Sequence, residues 1–335
     1  MNIYITGVAG FLGSHLAKRF IEIGHKVKGC DNLTGGYLSN SPLEVDFKPY
    51  DILDLNSLKE HMKNVDLVIH TAALAYEGLS VFSPKLITEN IYAGTMSVAT
   101  AAIFNKVPYF INCSSMARYG DITPPFKEFL VCRPVDPYGL AKLQAEQALN
   151  LLSDIHGIKV IHTVPHNIIG THQKYDDPYR NVVSIFINST LLNRKIIIYG
   201  DGEQKRSFSP VKDCLDAFDS IVKNINVIDN KEIYNIGPDG NEVTINTIAK
   251  KVSEACQIKP EILHILDRPR EVKNAWCSNY KAKTQLNYNP TTDLDSVIEE
   301  MIIWIMKEGV KSFDYRLPVE IINDKTPKTW IEKLY

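Results

Sequence analysis

The chain has 335 residues, 44% of them hydrophobic and 23% charged, with a formal net charge of −2; that is more than one ordinary domain, supplies an ample core and excludes a broad basic surface for nucleic acid. No apolar stretch approaches the roughly 20 residues of a membrane helix, and the chain opens directly on a candidate strand, so neither a membrane partner nor a leader peptide is expected. Six scattered cysteines without a Cys-x-x-Cys pair fit a reducing compartment, and a cytoplasmic location is expected.

Residues 2–20 organise the rest of the chain. Asn2–Thr6 is a short apolar run with β-branched residues, which predicts a buried strand. Gly7, Gly10 and Gly13 come next at three-residue spacing, and Phe11–Phe20 carries apolar residues at helical spacing. Strand, glycine turn and helix together make a phosphate seat. The glycines let the backbone turn tightly and a pyrophosphate approach; the helix start offers free N–H groups and a partial positive charge. The next strand, His25–Cys30, ends at Asp31, 18 residues after Gly13. A carboxylate there accepts hydrogen bonds from adenosine ribose hydroxyls and repels a 2′-phosphate, which favours NAD over NADP. Asn32–Gly36 has turn chemistry.

Glu44–Tyr50 predicts a third strand, followed by Asp51-Ile52, and Asn56–Lys63 a short helix. Val65–His70 predicts a fourth strand, and the small residues of Thr71-Ala72-Ala73 allow a cofactor close to its end. Thr88–Asn105 reads as a long helix holding Asn90, Gly94 and Thr95. Tyr109–Asn112 is a fifth strand, ending in Cys113-Ser114-Ser115. Pro137–Leu152 is the next helix, with Tyr138 and Lys142 on one face. Val160–Pro165 is a sixth strand, followed by His166-Asn167. Strands alternating with helices predict a parallel sheet covered on both faces, with ligands outside the strand C-termini. Gly7, Asp31, Ala72 and Ser115 all fall there.

From Thr171 the rhythm breaks. Asp176–Arg180 is a polar loop, Val182–Leu192 a helix and Lys195–Tyr199 a strand. The turn Gly200-Asp201-Gly202 leads to the basic stretch Gln204-Lys205-Arg206. Helices are predicted over Asp213–Asn224 and Thr244–Ala255, around a strand at Ile233–Ile236. A second basic cluster, Arg268-Pro269-Arg270, precedes a late amphipathic helix, Val297–Glu308. The expected architecture is α/β: a doubly wound parallel sheet in residues 1–170, to which later segments return, and a smaller α/β substrate domain in residues 171–335.

Ser115 gives meaning to Tyr138 and Lys142. A phenol is a poor base at neutral pH, but a nearby ammonium and a positive nicotinamide ring favour its phenolate. A serine hydroxyl can hold a substrate alcohol and share its proton. Together the three groups can deprotonate an alcohol while hydride leaves its carbon for NAD.

These motifs resemble the extended short-chain dehydrogenase/reductase family, in its nucleotide-sugar epimerase/dehydratase branch, from Ile3 to about Trp304. The residues that carry the resemblance are Thr6-Gly7-x-x-Gly10-x-x-Gly13, Asp31-Asn32-Leu33, His70-Thr71-Ala72-Ala73, Pro137-Tyr138-Gly139-x-x-Lys142, Gly200-Asp201-Gly202-x-Gln204-x-Arg206 and Arg268-Pro269-x-Glu271. The resemblance implies a Rossmann-type domain for NAD and a C-terminal part for a nucleotide diphosphate sugar, with UDP-sugars favoured. By position it gives catalysis to Ser115, Tyr138 and Lys142. It gives NAD contacts to Gly7, Gly10, Phe11, Leu12, Gly13, Asp31, Asn32, Asp51, Ile52, Ala72, Ala73, Asn90, Pro165 and His166, with Tyr138 and Lys142. Substrate contacts fall to Ser115, Asn167, Asn181, Arg206, Arg268 and Glu271, the arginine forks on phosphate oxygens. His166 is expected to line the nicotinamide site rather than bind a metal, since no second ligand has suitable spacing. A homodimer through Thr88–Asn105 and Pro137–Leu152 is also implied.

Departures narrow the reaction. Relatives that perform 4,6-dehydration place an Asp-Glu pair just after the position of Ser115, where this chain has Met116-Ala117. The expected activity is therefore 4-epimerisation of a UDP-hexose, through a transient 4-keto sugar. A C4 dehydrogenase, an atypical dehydratase and a non-catalytic NAD-binding member are the alternatives. Arg118 stands where an apolar residue is usual, and is read as a partner for a substrate charge or a loop carboxylate. Ala275 falls at a position that gates sugar size in the epimerases; its small side chain leaves room for an N-acetylated hexose. Residues 312–335 exceed the family core and read as a structural clasp.

Overall fold

Side chains of the strand Asn2–Thr6 alternate between two cores, and the fold is built on that alternation. In the computed structural model, which describes residues 1–335, Ile3 and Ile5 enter one core with Leu67, Ile69, Ile111 and Ile161. Tyr4 enters the other with Val68, Phe110 and Val160. Each such side chain, fully buried, contributes about 1.5–3 kcal/mol. A strand apolar on both faces needs cover on both. Helices Phe11–Glu22, Val211–Lys223 and Tyr280–Leu286 supply the first core with Leu16, Phe20, Phe218, Ile221 and Leu286. Helices Leu55–His61, Gly94–Phe104 and Pro137–His156 supply the second with Leu58, Val98, Ala102 and Leu149.

The sheet has seven strands, all parallel. Their order from one edge is Ile233–Ile236, Lys159–Pro165, Tyr109–Cys113, Leu67–His70, Asn2–Thr6, Lys26–Cys30 and Asp46–Lys48. Strand order reverses beside Asn2–Thr6, which opens a crevice between Gly7 and the Thr71-Ala72 segment. The late strand Ile233–Ile236 pairs with Lys159–Pro165, so the chain does return to the sheet. A third core lies over the C-terminal half, where helices Val182–Leu191, Ile245–Cys256 and Leu294–Glu308 enclose Phe186, Ile196, Ile248, Ile298 and Met301.

Most predicted elements are found within a few residues of their expected bounds. The helix expected over Thr88–Asn105 begins earlier, at Pro84, and passes through a π-helical turn at Glu89–Ala93. That turn carries Asn90, whose Oδ1 accepts the Leu74 N–H at 2.8 Å; such bulges re-aim a side chain without ending the helix. The strand Ile262–Ile265, which pairs with Ile196–Tyr199, was not expected. Its side chains are largely exposed, so it lacks the apolar signature of a buried strand.

Two buried imidazoles tie strand ends to helices. His70 Nδ1 stands 2.8 Å from Thr6 Oγ1, and its Nε2 2.9 Å from Thr95 Oγ1. The Thr95 hydroxyl already donates to Ile91 O, so it accepts from Nε2–H, and His70 is neutral with Nδ1 as acceptor. His162 makes the same kind of bridge between Asn112 and Asn150.

Arg118 is 5% exposed and pairs with Glu146, 2% exposed, at 3.1 Å. Glu146 also accepts from the Ser114 hydroxyl. The partner of Arg118 is thus a carboxylate of the Pro137–His156 helix, neither substrate nor loop as expected; the pair fixes the end of strand Tyr109–Cys113 against that helix. Removing one partner of a buried pair strands the other charge, so Arg118→Leu is expected to lower unfolding free energy by about 3–5 kcal/mol. Arg118→Leu with Glu146→Leu should cost less than the single change. Urea denaturation of both variants checks this.

Candidate active site

One cavity of about 420 Å³ runs along the C-terminal edge of the sheet and on toward the second half of the chain. At its first end the glycine turn is tight. Gly7 has φ +71°, and a β-carbon on Gly13 would stand 2.1 Å from Gly7 O. No side chain caps the helix that starts at Phe11. Gly10, Phe11, Leu12 and Gly13 line the cavity, leaving backbone N–H groups for an anion. Asp31 accepts the Ala9 N–H at 3.1 Å and the Leu33 N–H at 2.7 Å, one on each oxygen. A carboxylate has about four acceptor sites, so both oxygens keep capacity for ribose hydroxyls. Asn32, Ile52, Ala72, Ala73, Asn90 and Pro165 also line this part. An uncapped helix start, a glycine cradle and a positioned carboxylate are the donor and acceptor set that a dinucleotide needs.

Ser115, Tyr138 and Lys142 meet midway along the cavity. Ser115 caps the short helix Met116–Arg118 and accepts the Ala117 N–H at 3.2 Å. Tyr138 sits at the start of the Pro137–His156 helix, which Asp136 caps through the Gly139 N–H at 2.8 Å. Lys142 is one turn on; its Nζ donates to Cys113 O at 2.7 Å and lies 6.0 Å from the Tyr138 ring centre. Burial lowers the Lys142 pKa to about 8. Burial raises that of Tyr138, and Ser115 and Arg180 pull it back.

The second end is lined by Asn167, Asn181, Arg206, Arg268 and Glu271, with an apolar wall that includes Phe186, Ile197 and Phe208. Asn167 donates to Ser207 O at 2.9 Å, and Asn181 caps the helix Val182–Leu191 through the Val183 N–H. Arg206 donates to the carbonyls of Lys205, Lys273 and Val272. Arg268 pairs with Glu271 at 3.2 Å.

Three expected positions lie elsewhere. Pro165 and Asn167 face the cavity, so the intervening His166 faces away; its ring packs against Tyr119 and Phe126, at 6.4 and 6.2 Å, and does not line the nicotinamide site. Asp51 also stands outside the cavity wall, where it accepts from Asn32 Nδ2 at 2.6 Å and from the Leu53 N–H. Ala275 is 1% exposed and packs with Met116, Tyr119 and Cys277, behind the cavity wall rather than in it. Conversely, Glu77, Arg180 and Tyr335 line the cavity and were not expected there. Glu77 is open to the cavity but ringed by protein, and burial, with Asp136 adding, raises its pKa to about 7 against the pull of Arg206 and Arg268. The Arg180 guanidinium lies over the Tyr76 ring at 4.9 Å. Polar residues of Asp176–Arg180 were visible in the sequence; their direction was not.

The model of the NAD dependent epimerase/dehydratase family matches residues 3–237. The chain belongs to this family. A putative UDP-glucose 4-epimerase of Methanocaldococcus jannaschii is 31% identical over 309 residues, spanning 90% of this chain and 98% of its own. The structure of a Thermotoga maritima UDP-glucose 4-epimerase with UDP-glucose superposes with a TM-score of 0.84 at 28% identity, covering 92% of this chain and 99% of that one. A Thermus thermophilus UDP-glucose 4-epimerase in complex with NAD has a TM-score of 0.83 at 26% identity, covering 91% and 99%. Membership agrees with the glycine cradle and with Asp31, and the cofactor of this epimerase/dehydratase chain is NAD.

Burial holds His70, His162 and His166 down to about 3. An unfolded chain takes up these protons near pH 6.5, so between those limits it binds more protons than the folded one, and stability falls as pH drops. Glu77 opposes this: with its pKa raised to about 7, the folded state gains its proton first, which adds stability as pH falls from there toward the ordinary carboxylate range. Burial also holds down His15, His25, His61 and His172, while it raises Asp31, Asp136, Glu146, Asp177 and Asp216 in the same sense as Glu77; the histidines, whose unfolded forms take up protons at the higher pH, set the sign just below pH 6.5. Urea midpoints measured just below pH 6.5 should decline as pH falls, and His162→Gln should flatten the slope.

Proposed function

We propose that the chain is an NAD-dependent UDP-sugar 4-epimerase that acts on a UDP-hexose. The observation that carries this is the position of Ser115, Tyr138 and Lys142 between a glycine-lined half and an arginine-lined half of one cavity. In this reading residues 1–170 hold the cofactor and residues 171–335 mainly the sugar nucleotide, the uncapped helix start and Asp31 serving NAD. NAD, when bound, accepts a hydride from C4 of the sugar and returns it.

The chain's own residues manage the proton. Tyr138 Oη takes it from the sugar O4 and gives it back after the 4-keto sugar has turned over. Its pKa must fall for that task; Ser115 and Arg180 act in that direction, and the positive nicotinamide ring adds to them. Lys142, anchored on Cys113 O, keeps an ammonium near the phenol at neutral pH. Arg206 and Arg268 grip the diphosphate, and Asn167 and Asn181 the nucleoside end. An atypical dehydratase is the second reading, and Glu77, open to the cavity, is the observation in its favour, since Met116-Ala117 supplies no acid.

Purified protein given UDP-glucose or UDP-GlcNAc without added NAD should yield an equilibrium mixture of C4 epimers by NMR, with no build-up of NADH absorbance. Tyr138→Phe should lower turnover about 10²–10⁴-fold. A 4-keto-6-deoxy or unsaturated product, or accumulating NADH, would replace the epimerase reading with a dehydratase or dehydrogenase.

We further propose a cytoplasmic homodimer. No helix is long and apolar enough to cross a membrane. Leu140, Leu151 and Ile155 are 46%, 64% and 72% exposed along one side of the Pro137–His156 helix, with Phe104 exposed on the helix beside it. Light scattering should give twice the chain mass, and Leu151→Glu with Ile155→Glu should give the monomer.

A further inference from the structure

Arg268 stands in a loop, yet its guanidinium is held on several sides. It stacks on the Tyr199 ring at 4.5 Å and pairs with Glu271 at 3.2 Å. It also lies against Gly78, where a β-carbon would stand 3.2 Å from Nη1. Two of these surfaces are backed by the last stretch of the chain. Thr329 Oγ1 hydrogen-bonds the Tyr199 hydroxyl. The Trp330 indole reaches the same Gly78 site, 3.6 Å from that β-carbon. It packs on Phe82 and Tyr179 with ring centres 5.9 and 5.5 Å away. Tyr335 lines the cavity itself; burial pushes its phenol well up, with Tyr199 adding to the shift and Arg268 opposing it.

The same stretch is anchored at its other end. The Glu320 carboxylate accepts the Lys85 and Leu86 N–H groups, each at 3.0 Å. Ser83 donates to Pro318 O at 2.7 Å, and Tyr179 to Leu317 O at 3.1 Å. Residues 312–335 therefore form a brace from the start of helix Pro84–Thr88 to the wall of the cavity. The solved Thermotoga structure covers 92% of this chain and 99% of its own, so part of this chain has no counterpart there.

Resting on the nucleotide-sugar reading above, we propose that residues 312–335 complete the diphosphate subsite of this chain. Thr329 and Tyr335 are positioning residues: they hold Tyr199, and Tyr199 holds Arg268 for a nucleoside diphosphate. An arginine already in place meets a phosphate without first surrendering its rotational freedom. The brace thus acts on nucleotide affinity and leaves the cofactor half alone.

The test uses the full-length, NAD-loaded protein and UDP as probe, by titration calorimetry. Thr329→Val keeps the shape and loses the hydroxyl, and should weaken UDP about tenfold. Thr329→Ser should restore most of it, and Tyr335→Ala should weaken UDP at least as much as Thr329→Val. In Thr329→Val bound NAD and the melting temperature should stay close to those of the unaltered protein, and with a substrate in hand KM should rise while kcat holds. Equal UDP affinity in Thr329→Val and Tyr335→Ala overturns the inference. So does a parallel loss of NAD, UDP and melting temperature, which marks a part that only holds the fold together. If the unaltered protein takes up no UDP, the nucleotide-sugar reading itself fails and the inference falls with it.

Discussion

The whole C-terminal edge of the sheet depends on how closely backbone can pass backbone around Gly7. A β-carbon on Gly7 would stand 2.8 Å from Ala72 Cα, one on Gly13 2.1 Å from Gly7 O, and one on Gly36 2.1 Å from Ala9 O. Three chain segments from three different strand ends are thus pressed together where only hydrogen fits. This contact sets where the first helix begins and how near its free N–H groups stand to the crevice. It also brings the Asp31 loop over the same spot. The neutral chain of Thr6, His70 and Thr95 lies directly beneath and holds the Ala72 N–H to Thr6. A side chain at any of these positions would move the cradle and everything placed relative to it.

Charge along the cavity is sorted. Asp31 faces the glycine half, Lys142 and Arg180 the middle, and Arg206 and Arg268 the far half with Glu271. Glu77 is the exception, a carboxylate among arginines without a direct ion pair to either, and its raised pKa comes from burial and Asp136 rather than from any basic partner. Behind the cavity wall the balance differs: Arg118 and Glu146 are closed off from solvent and serve alignment.

Much of this was legible because it is local. A strand, a turn that only glycine tolerates and a helix are written in consecutive residues, and so is Tyr138 one turn before Lys142. What failed was direction. His166 stands between the strand end at Pro165 and Asn167 with its left-handed φ of 39°, and its ring turns to Tyr119 and Phe126; Asp51 leads a turn and is taken up by Asn32 and the Leu53 N–H, while Ile52 reaches the cavity. Ala275 belongs to a two-residue strand beside Arg206 whose pairing no local pattern announces. Glu77, Arg180 and Tyr335 reach the cavity from distant stretches, and only tertiary packing joins them. The tail 312–335 was expected to clasp the body; it does, and it also reaches the cavity wall through Tyr335.

Arg206 carries a consequence of its own. A guanidinium has five N–H groups in a plane, and the carbonyls of Lys205, Lys273 and Val272 take three of them through Nη1 and Nη2. Both Nη1 hydrogens are occupied, so the remaining pair, on Nε and Nη2, forms a single open edge. An anion can therefore meet this residue from one side only and in one plane. The backbone has converted a freely turning cation into a directional one, and the plane in which it meets an anion is set before any ligand arrives.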